Sequence, residues 1–158
     1  MEHSAETSDL FDRQAKRLQD IVEQLFTCCQ TRIALQSERF GLPPAALRAL
    51  LVLGEKRCMA PGELGRRLGV TKSRVTAVTT GLSHHNLIEK HPDPNDARVT
   101  LLSLTPSGRQ AYDEVCVFMK GLFRTMLDRV DPHEREALLG SLDVLRRCME
   151  STRADITC

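Results

Sequence analysis

Apolar residues between positions 9 and 40 recur at intervals of three and four. They form a stripe of Phe11, Ala15, Leu18, Val22, Leu25, Cys29 and Ile33. This spacing places them on one side of an α-helix. A helix of about thirty residues is about 45 Å long, so part of its stripe needs cover from another chain or another long helix. The pattern therefore predicts a long N-terminal helix that contributes to an interface.

A buried helix is predicted next, over residues 43–53. Gly41 is expected to end the long helix, and Pro43 and Pro44 suit the first turn of a new one because proline needs no N–H partner there. The remaining residues are apolar almost all round, which is typical of a helix enclosed by others.

Two short helices separated by a tight turn are indicated downstream. The first, over residues 61–68, starts with proline and is followed by Gly69, which suits the turn. The second, over residues 72–82, carries apolar residues at helical spacing behind Thr71 at the N-cap position. Gly65 allows the two helices to approach closely. This arrangement predicts a helix-turn-helix.

A β-hairpin should follow the helix-turn-helix. Residues 87–91 and 99–104 are rich in strand-forming side chains, and residues 92–98 between them are dense in turn formers. Asn86 is expected in the left-handed conformation that closes the preceding helix. We therefore predict a mainly α fold with a small β-hairpin wing, a winged helix-turn-helix.

Two further helices are predicted after the hairpin, one opened by Thr105 and Pro106 and one by the capping sequence at residues 131–134. The chain then divides into a disordered tail (1–8), dimerisation helices (9–41 and 105–150), a winged helix-turn-helix head (42–104) and a C-terminal tail (151–158). Two copies of the terminal helices are expected to form a symmetric dimer interface.

The second short helix has several residues that are not needed for packing. These residues carry cationic, hydroxyl and methyl groups. With the N-cap residue they are Thr71, Lys72, Ser73, Arg74, Thr76, Ala77 and Thr80. Such groups suit phosphates, base edges and thymine methyl groups in a DNA major groove. A solvated helix face fits them equally well, so this helix alone leaves both interpretations open.

The hairpin favours DNA binding. A loop that projects from the body, with Asn95 near its tip and Arg98 at its base, can insert a guanidinium into a narrow minor groove. The alternative is an ordinary surface hairpin. Charge supports the first interpretation: the net charge of the chain is only +1, but residues 56–100 hold eight Lys and Arg against four Asp and Glu. The positive charge is local, as DNA binding requires.

Several segments carry a resemblance to a known family. They are residues 42–51, 62–76, 86–90, 93–98 and 102–109. Together they resemble the multiple-antibiotic-resistance regulator (MarR) family, with Asp96 and Arg98 in the wing as the most specific match. Asn86 and Gly65 depart from it, since the family usually has glycine and alanine there. The resemblance implies a homodimeric transcription factor, most often a repressor, that releases a palindromic double-stranded DNA operator on sensing a small-molecule effector or an oxidant.

Other functional classes are less well supported by the sequence. Motifs for phosphate loops, serine nucleophiles and zinc peptidases are missing, so no enzyme, cofactor or metal is expected. His84, His85 and His91 fit a phosphate contact or a solvated surface better than a metal. The polar N-terminus and the lack of a long apolar run predict a cytoplasmic protein without membrane contact. A winged-helix module that binds protein remains the alternative from another class.

Six cysteines are expected to be thiols in a reducing compartment. Cys28 and Cys29 are neighbours on a helix and diverge too far to bond to each other, and Cys29 on the apolar stripe is expected to be buried. Cys58 follows the Lys56-Arg57 pair in a loop, where cations favour the thiolate. Cys58 is therefore the candidate redox thiol, with Cys28 as the partner to test first.

Overall fold

The described residues form six helices and one two-stranded antiparallel sheet. A computed structural model describes the backbone of residues 2–156 and the side chains of residues 9–152. The elements are α1 (Glu2–Phe40), α2 (Pro44–Gly54), α3 (Pro61–Leu68), α4 (Lys72–His84), β1 (Ile88–Pro92), β2 (Thr100–Leu104), α5 (Pro106–Asp128) and α6 (Arg135–Ile156). The predicted fold class, mainly α with a hairpin wing, is confirmed.

Contacts divide the chain into two compact units, the first ending at Tyr112 and the second beginning at Asp113. The core of the first unit lies in the head. Its fully buried side chains come from α2, α3, α4 and β2; they are Leu50, Leu53, Leu64, Leu82 and Leu102. The sequence pattern of α2 is explained by this position, since α2 packs against α1, α3, α4 and β2.

α3 and α4 cross closely because Gly65 has no side chain at the crossing point. Gly65 is buried, and a Cβ at this position would lie 3.0 Å from Cγ2 of Val75 and 3.4 Å from the carbonyl oxygen of Val70. Gly69 has a φ of 67°, a left-handed conformation that glycine adopts without strain. Both glycines therefore have the roles that the sequence predicted.

The wing continues directly from α4. Asn86 has a φ of 55°, which confirms the left-handed conformation expected there. β1 and β2 pair from Ile88 opposite Leu104 to Pro92 opposite Thr100. Met59 adds a bridge to the sheet, since its N–H donates to the carbonyl of Leu102 at 2.9 Å and its carbonyl accepts the Leu102 N–H at 2.9 Å. This bridge ties the loop before α3 to the wing.

The first turn of α5 closes the head. The Gly108 N–H donates to the Thr105 hydroxyl at 3.0 Å, which is the predicted helix cap, and the same hydroxyl donates to the carbonyl of Asn86 at 2.6 Å. A Cβ on Gly108 would overlap the carbonyl group of Leu87. The end of the wing is thereby held against the end of α4 by backbone groups.

The second unit contains the rest of α5 and all of α6. The Asp131 carboxylate accepts the His133 N–H at 2.8 Å, but α6 begins only at Arg135, because residues 132–134 form turns. Large apolar side chains of this unit remain exposed in the single chain; they are Val117, Phe123, Met126, Leu138, Leu139, Leu142, Val144 and Met149.

The terminal helices extend further than the sequence predicted. α1 begins at Glu2, within the tail expected over residues 1–8, and α6 continues to Ile156, within the tail expected over residues 151–158. Neither stretch contains a proline or glycine that would stop a helix. Within the described residues, no helix is both long enough and apolar enough to cross a membrane.

Candidate nucleic-acid interface

The two sides of α4 differ sharply in exposure. Val75, Val78, Thr79 and Leu82 are buried against the head. The opposite side is exposed and includes the predicted contact residues Lys72, Ser73, Arg74, Thr76, Ala77 and Thr80. Since the helix is short and only one side is required for packing, these six residues present cationic, hydroxyl and methyl groups together on one accessible surface.

The start of α4 differs in one detail from the sequence prediction. Thr71 stands at the N-cap position, but its hydroxyl lies 3.1 Å from the Ser73 hydroxyl and makes no cap bond to the helix backbone. The reason is that the two neighbouring hydroxyl groups pair with each other. The first-turn N–H groups of α4 therefore receive no side-chain cap and are available to an anion.

Arg74 lies on the flank of α4 that faces the start of α2. It borders a cavity of about 240 Å³ together with Leu42, Pro43, Ala77 and His85. Among the residues with described side chains, no carboxylate lies within 4.0 Å of Arg74. Its charge is therefore not neutralised inside the head.

Ion pairing separates the cations of residues 56–100 into two groups. Lys56 pairs with Glu63 at 2.6 Å, Arg67 with Glu55 at 2.9 Å and Arg98 with Asp96 at 3.3 Å. In the described part of the chain, the remaining five have no such partner: Arg57, Arg66, Lys72, Arg74 and Lys90. All five are exposed. The positive charge predicted from the sequence is thus available at the surface.

The Lys56 pair also affects Glu63 itself. Its pKa is lowered from the usual value of 4.5, mainly by the hydrogen bond from Lys56; desolvation opposes this, and the charges of Lys56, Arg67 and Arg66 add to the lowering. Glu63 is therefore fully ionised at neutral pH and braces the loop before α3.

The tip of the wing is ordered by its own aspartates. The Asp96 carboxylate accepts the backbone N–H of Arg98 at 3.0 Å and its Nε at 3.3 Å, and the Asp93 carboxylate accepts the N–H of Asn95 at 2.7 Å. The Arg98 side chain is nevertheless 93% exposed. Asp96 therefore orients Arg98 while leaving most of its guanidinium accessible.

Two further residues lie on this surface: Arg66, which the sequence did not indicate, and His84, for which the sequence left a phosphate contact and a solvated surface both open. Arg66 lines a cavity of about 660 Å³ beside Thr71, Lys72 and Thr76. His84, in the last turn of α4, is exposed on the same side as Ser73, Ala77 and Thr80. The spacing of His84 from these residues was visible in the sequence, but the predicted helix ended at residue 82. Arg66 carried no local signal, because its position beside α4 depends on how the two helices cross.

The cysteines are more exposed than the sequence suggested. Cys28, Cys29, Cys58 and Cys148 are exposed thiols and Cys116 is partly exposed, whereas Cys158 lies outside the described residues. Cys29, which was expected to be buried, is exposed in the single chain, where the stripe of α1 that carries it is largely uncovered; its burial in a dimer stays a prediction. Among the described side chains, no cluster of three or more His, Cys, Asp or Glu could hold a metal ion.

Comparisons with known proteins agree with this geometry. Residues 40–99 match the model of the MarR family. An uncharacterised helix-turn-helix-type transcriptional regulator of Bacillus subtilis, YcgE, is 33% identical over 61% of this chain and 66% of its own length. The transcriptional repressor MdtR of the same organism is 28% identical over 78% of this chain and 79% of its own. The crystal structure of Streptococcus pneumoniae FabT in complex with DNA is similar in fold, with a TM-score of 0.76, 21% identity and coverage of 85% and 98% of the two chains.

Proposed function

Because this chain belongs to the MarR family of winged helix-turn-helix transcription regulators, we propose that it is a homodimeric repressor that binds a palindromic DNA operator and releases it when a small molecule binds. The observation that carries the proposal is the exposed side of α4, where Lys72, Ser73, Arg74 and Thr76 stand free of internal partners other than local backbone and hydroxyl groups.

DNA contact requires cations that are not already neutralised. The five unpaired Lys and Arg side chains within residues 56–100 supply them, and their phosphate contacts release counterions. In this proposal, α4 lies in a major groove, where Thr71, Lys72, Ser73, Arg74, Thr76, Ala77 and Thr80 meet bases and phosphates. Asn95 and Arg98 of the wing enter the adjacent minor groove.

Dimerisation is supported by apolar side chains that a single chain leaves in water. On α1, Phe11 is 70% exposed and Phe26 is 63% exposed, and Leu18, Ile21, Leu25 and Leu35 are also exposed. Exposed apolar surface on this scale is uncommon in monomers and marks an interface. A two-fold dimer presents two α4 helices to successive turns of a palindromic operator.

The repressor role is supported by a relative. MdtR, which aligns over 78% of this chain, is a transcriptional repressor. A small apolar molecule with few polar groups is the effector class proposed here, because the structure offers aliphatic surfaces and few clustered polar groups.

The proposal is tested with labelled DNA from upstream of the gene that encodes this protein. Fluorescence anisotropy at several salt concentrations should give a steep negative slope of log affinity against log salt, and sedimentation should give twice the mass of 17.7 kDa. Scrambled DNA of the same length is the control. Equal, weak binding to both DNAs would contradict the proposal and favour a winged-helix module that binds protein.

A further inference from the structure

His84 extends the exposed side of α4 by one turn. It lies four residues after Thr80, seven after Ala77 and eleven after Ser73. Residues at this spacing share one side of a helix, and all four are exposed. His84 is thus in line with the surface that the proposed function assigns to the operator, at the end of α4 opposite to Lys72.

The surroundings of His84 leave its ring accessible. The His84 ring contacts the His85 ring in an edge-to-face arrangement, with the two ring centroids 5.9 Å apart. Among the residues with described side chains, no carboxylate lies within 4.0 Å of the His84 ring nitrogens. His85, the first residue after α4, is the titratable side chain in contact with this ring, and Arg74 lies about three turns earlier on α4.

His85 has a different position although it is the next residue. Successive side chains on a helix diverge by about 100°, which turns His85 toward the start of α2. There it borders the cavity lined by Leu42, Pro43 and Arg74. The two histidines therefore share exposure and residue type but point to different surroundings, which makes His85 a matched control for His84.

We propose that His84 is an additional operator contact and that it binds DNA in its protonated form, so that operator affinity rises as pH falls. This inference rests on the proposed function. Histidine changes charge between about pH 5 and pH 8. A phosphate beside the ring stabilises the imidazolium. Operator binding is then coupled to the uptake of a proton from solvent.

The sign of the effect follows from linkage. Because the complex holds the proton more tightly than the free protein does, acid conditions favour the complex. Each His84 changes the affinity by at most about tenfold per pH unit, so the two in a dimer change it by at most about a hundredfold, and neither has an effect once it is neutral in both states. Each protonated His84 also adds a phosphate contact, which makes the salt dependence steeper by about one unit at acid pH.

The test measures operator affinity by fluorescence anisotropy from about pH 8 to about pH 6 at constant ionic strength, for the parent, His84→Gln and His85→Gln. The parent should bind several-fold more tightly at the lower pH. His84→Gln should match the parent near pH 8 and lose most of the gain near pH 6. His85→Gln should keep the profile of the parent, and circular dichroism should show unchanged helix content in all three.

Identical pH profiles for the parent and His84→Gln would overturn this inference while leaving the proposed function intact. The inference also fails if His84→Gln and His85→Gln flatten the profile equally, because the effect then does not depend on the position of His84 in line with Ser73. If the parent fails to distinguish operator from scrambled DNA at every pH, the proposed function itself fails.

Discussion

Lys56 donates a hydrogen bond from Nζ to Oε1 of Glu63 at 2.6 Å, across seven residues of chain. The pair joins the loop after α2 to the first turn of α3, where a carboxylate also suits the helix dipole. It occupies Glu63, which leaves Arg74 without a carboxylate partner among the described side chains. Lys56 is therefore neutralised within the head, whereas the charge of Arg74 is available to DNA.

The Lys56 pair predicts a pH dependence of stability. A lowered pKa in the folded protein means that ionised Glu63 stabilises the fold above its usual pKa of 4.5, and that this contribution is lost as pH falls through the lowered value. Glu63→Gln should therefore melt at a slightly lower temperature than the parent near pH 7, and the difference should shrink as pH falls below 4.5. Exposed Glu38, which pairs with no described basic side chain, gives the control Glu38→Gln. A difference that persists unchanged in acid would contradict the role of the ion pair.

Arg74→Ala should weaken operator binding and leave the melting temperature unchanged, since Arg74 is exposed and makes no ion pair in the described structure. If the guanidinium reads a base, the variant loses sequence preference; if it meets only phosphate, the salt slope falls by about one. Arg67→Ala is the control, because Arg67 pairs with Glu55 at 2.9 Å and is expected to contribute less to DNA binding. Unchanged affinity in Arg74→Ala would remove Arg74 from the interface.

Local patterns in the sequence were sufficient for most of the head. Residues 61–68 form α3 as predicted, and Asn86 adopts its left-handed conformation, because proline, glycine and asparagine act on the chain next to them. The bridge from Met59 to Leu102 was not predicted, since it joins residues that are distant in the chain and carries no local signal. Such pairings depend on the assembled core.

In the candidate nucleic-acid interface, too, some features could be predicted from local sequence and others could not. Exposure of the α4 residues followed from helical periodicity, but which cations pair internally required three-dimensional positions. Arg109 illustrates the point: its Nη1 donates to the carbonyl of Gly54 at 2.9 Å, and its guanidinium lies 5.1 Å from the centroid of the Tyr112 ring. Nothing in the spacing of these residues indicated that an arginine of α5 caps the end of α2.

Arg98→Ala should weaken operator binding while the fold is retained, because the side chain is 93% exposed and contributes no core contact. Asp96→Ala should weaken binding by less, since it removes the acceptor that orients Arg98 but keeps the guanidinium. Anisotropy with operator DNA measures both, with melting temperatures as the folding control. Parent-like affinity in Arg98→Ala would exclude the wing as a minor-groove contact.

Gly108→Ala should destabilise the head by at least about 2 kcal/mol, because the new Cβ would overlap backbone atoms of Leu87 that cannot move aside freely. Gly62→Ala is the matched control: it lies in α3 with nothing within 4 Å of the added Cβ, and alanine favours helix. Urea unfolding should therefore show a large loss for the first variant and no loss for the second. Equal stability of the two variants would contradict the close packing of α5 against the end of α4.

Treating the protein with peroxide shows whether the signal that releases the operator is an oxidant sensed by Cys58 or a small molecule. The thiol is exposed in the loop before α3, so a peroxide can reach it. Lys56, one of the cations expected to activate it, is paired with Glu63, which weakens its attraction for a thiolate. We therefore expect the parent to keep its operator under peroxide, in support of a small-molecule effector.

If peroxide does release the operator and Cys58→Ser prevents this, the regulator senses oxidants through Cys58, and a parallel Cys28→Ser variant shows whether Cys28 is its partner. Release that is identical in the parent and both variants would exclude these two thiols as sensors.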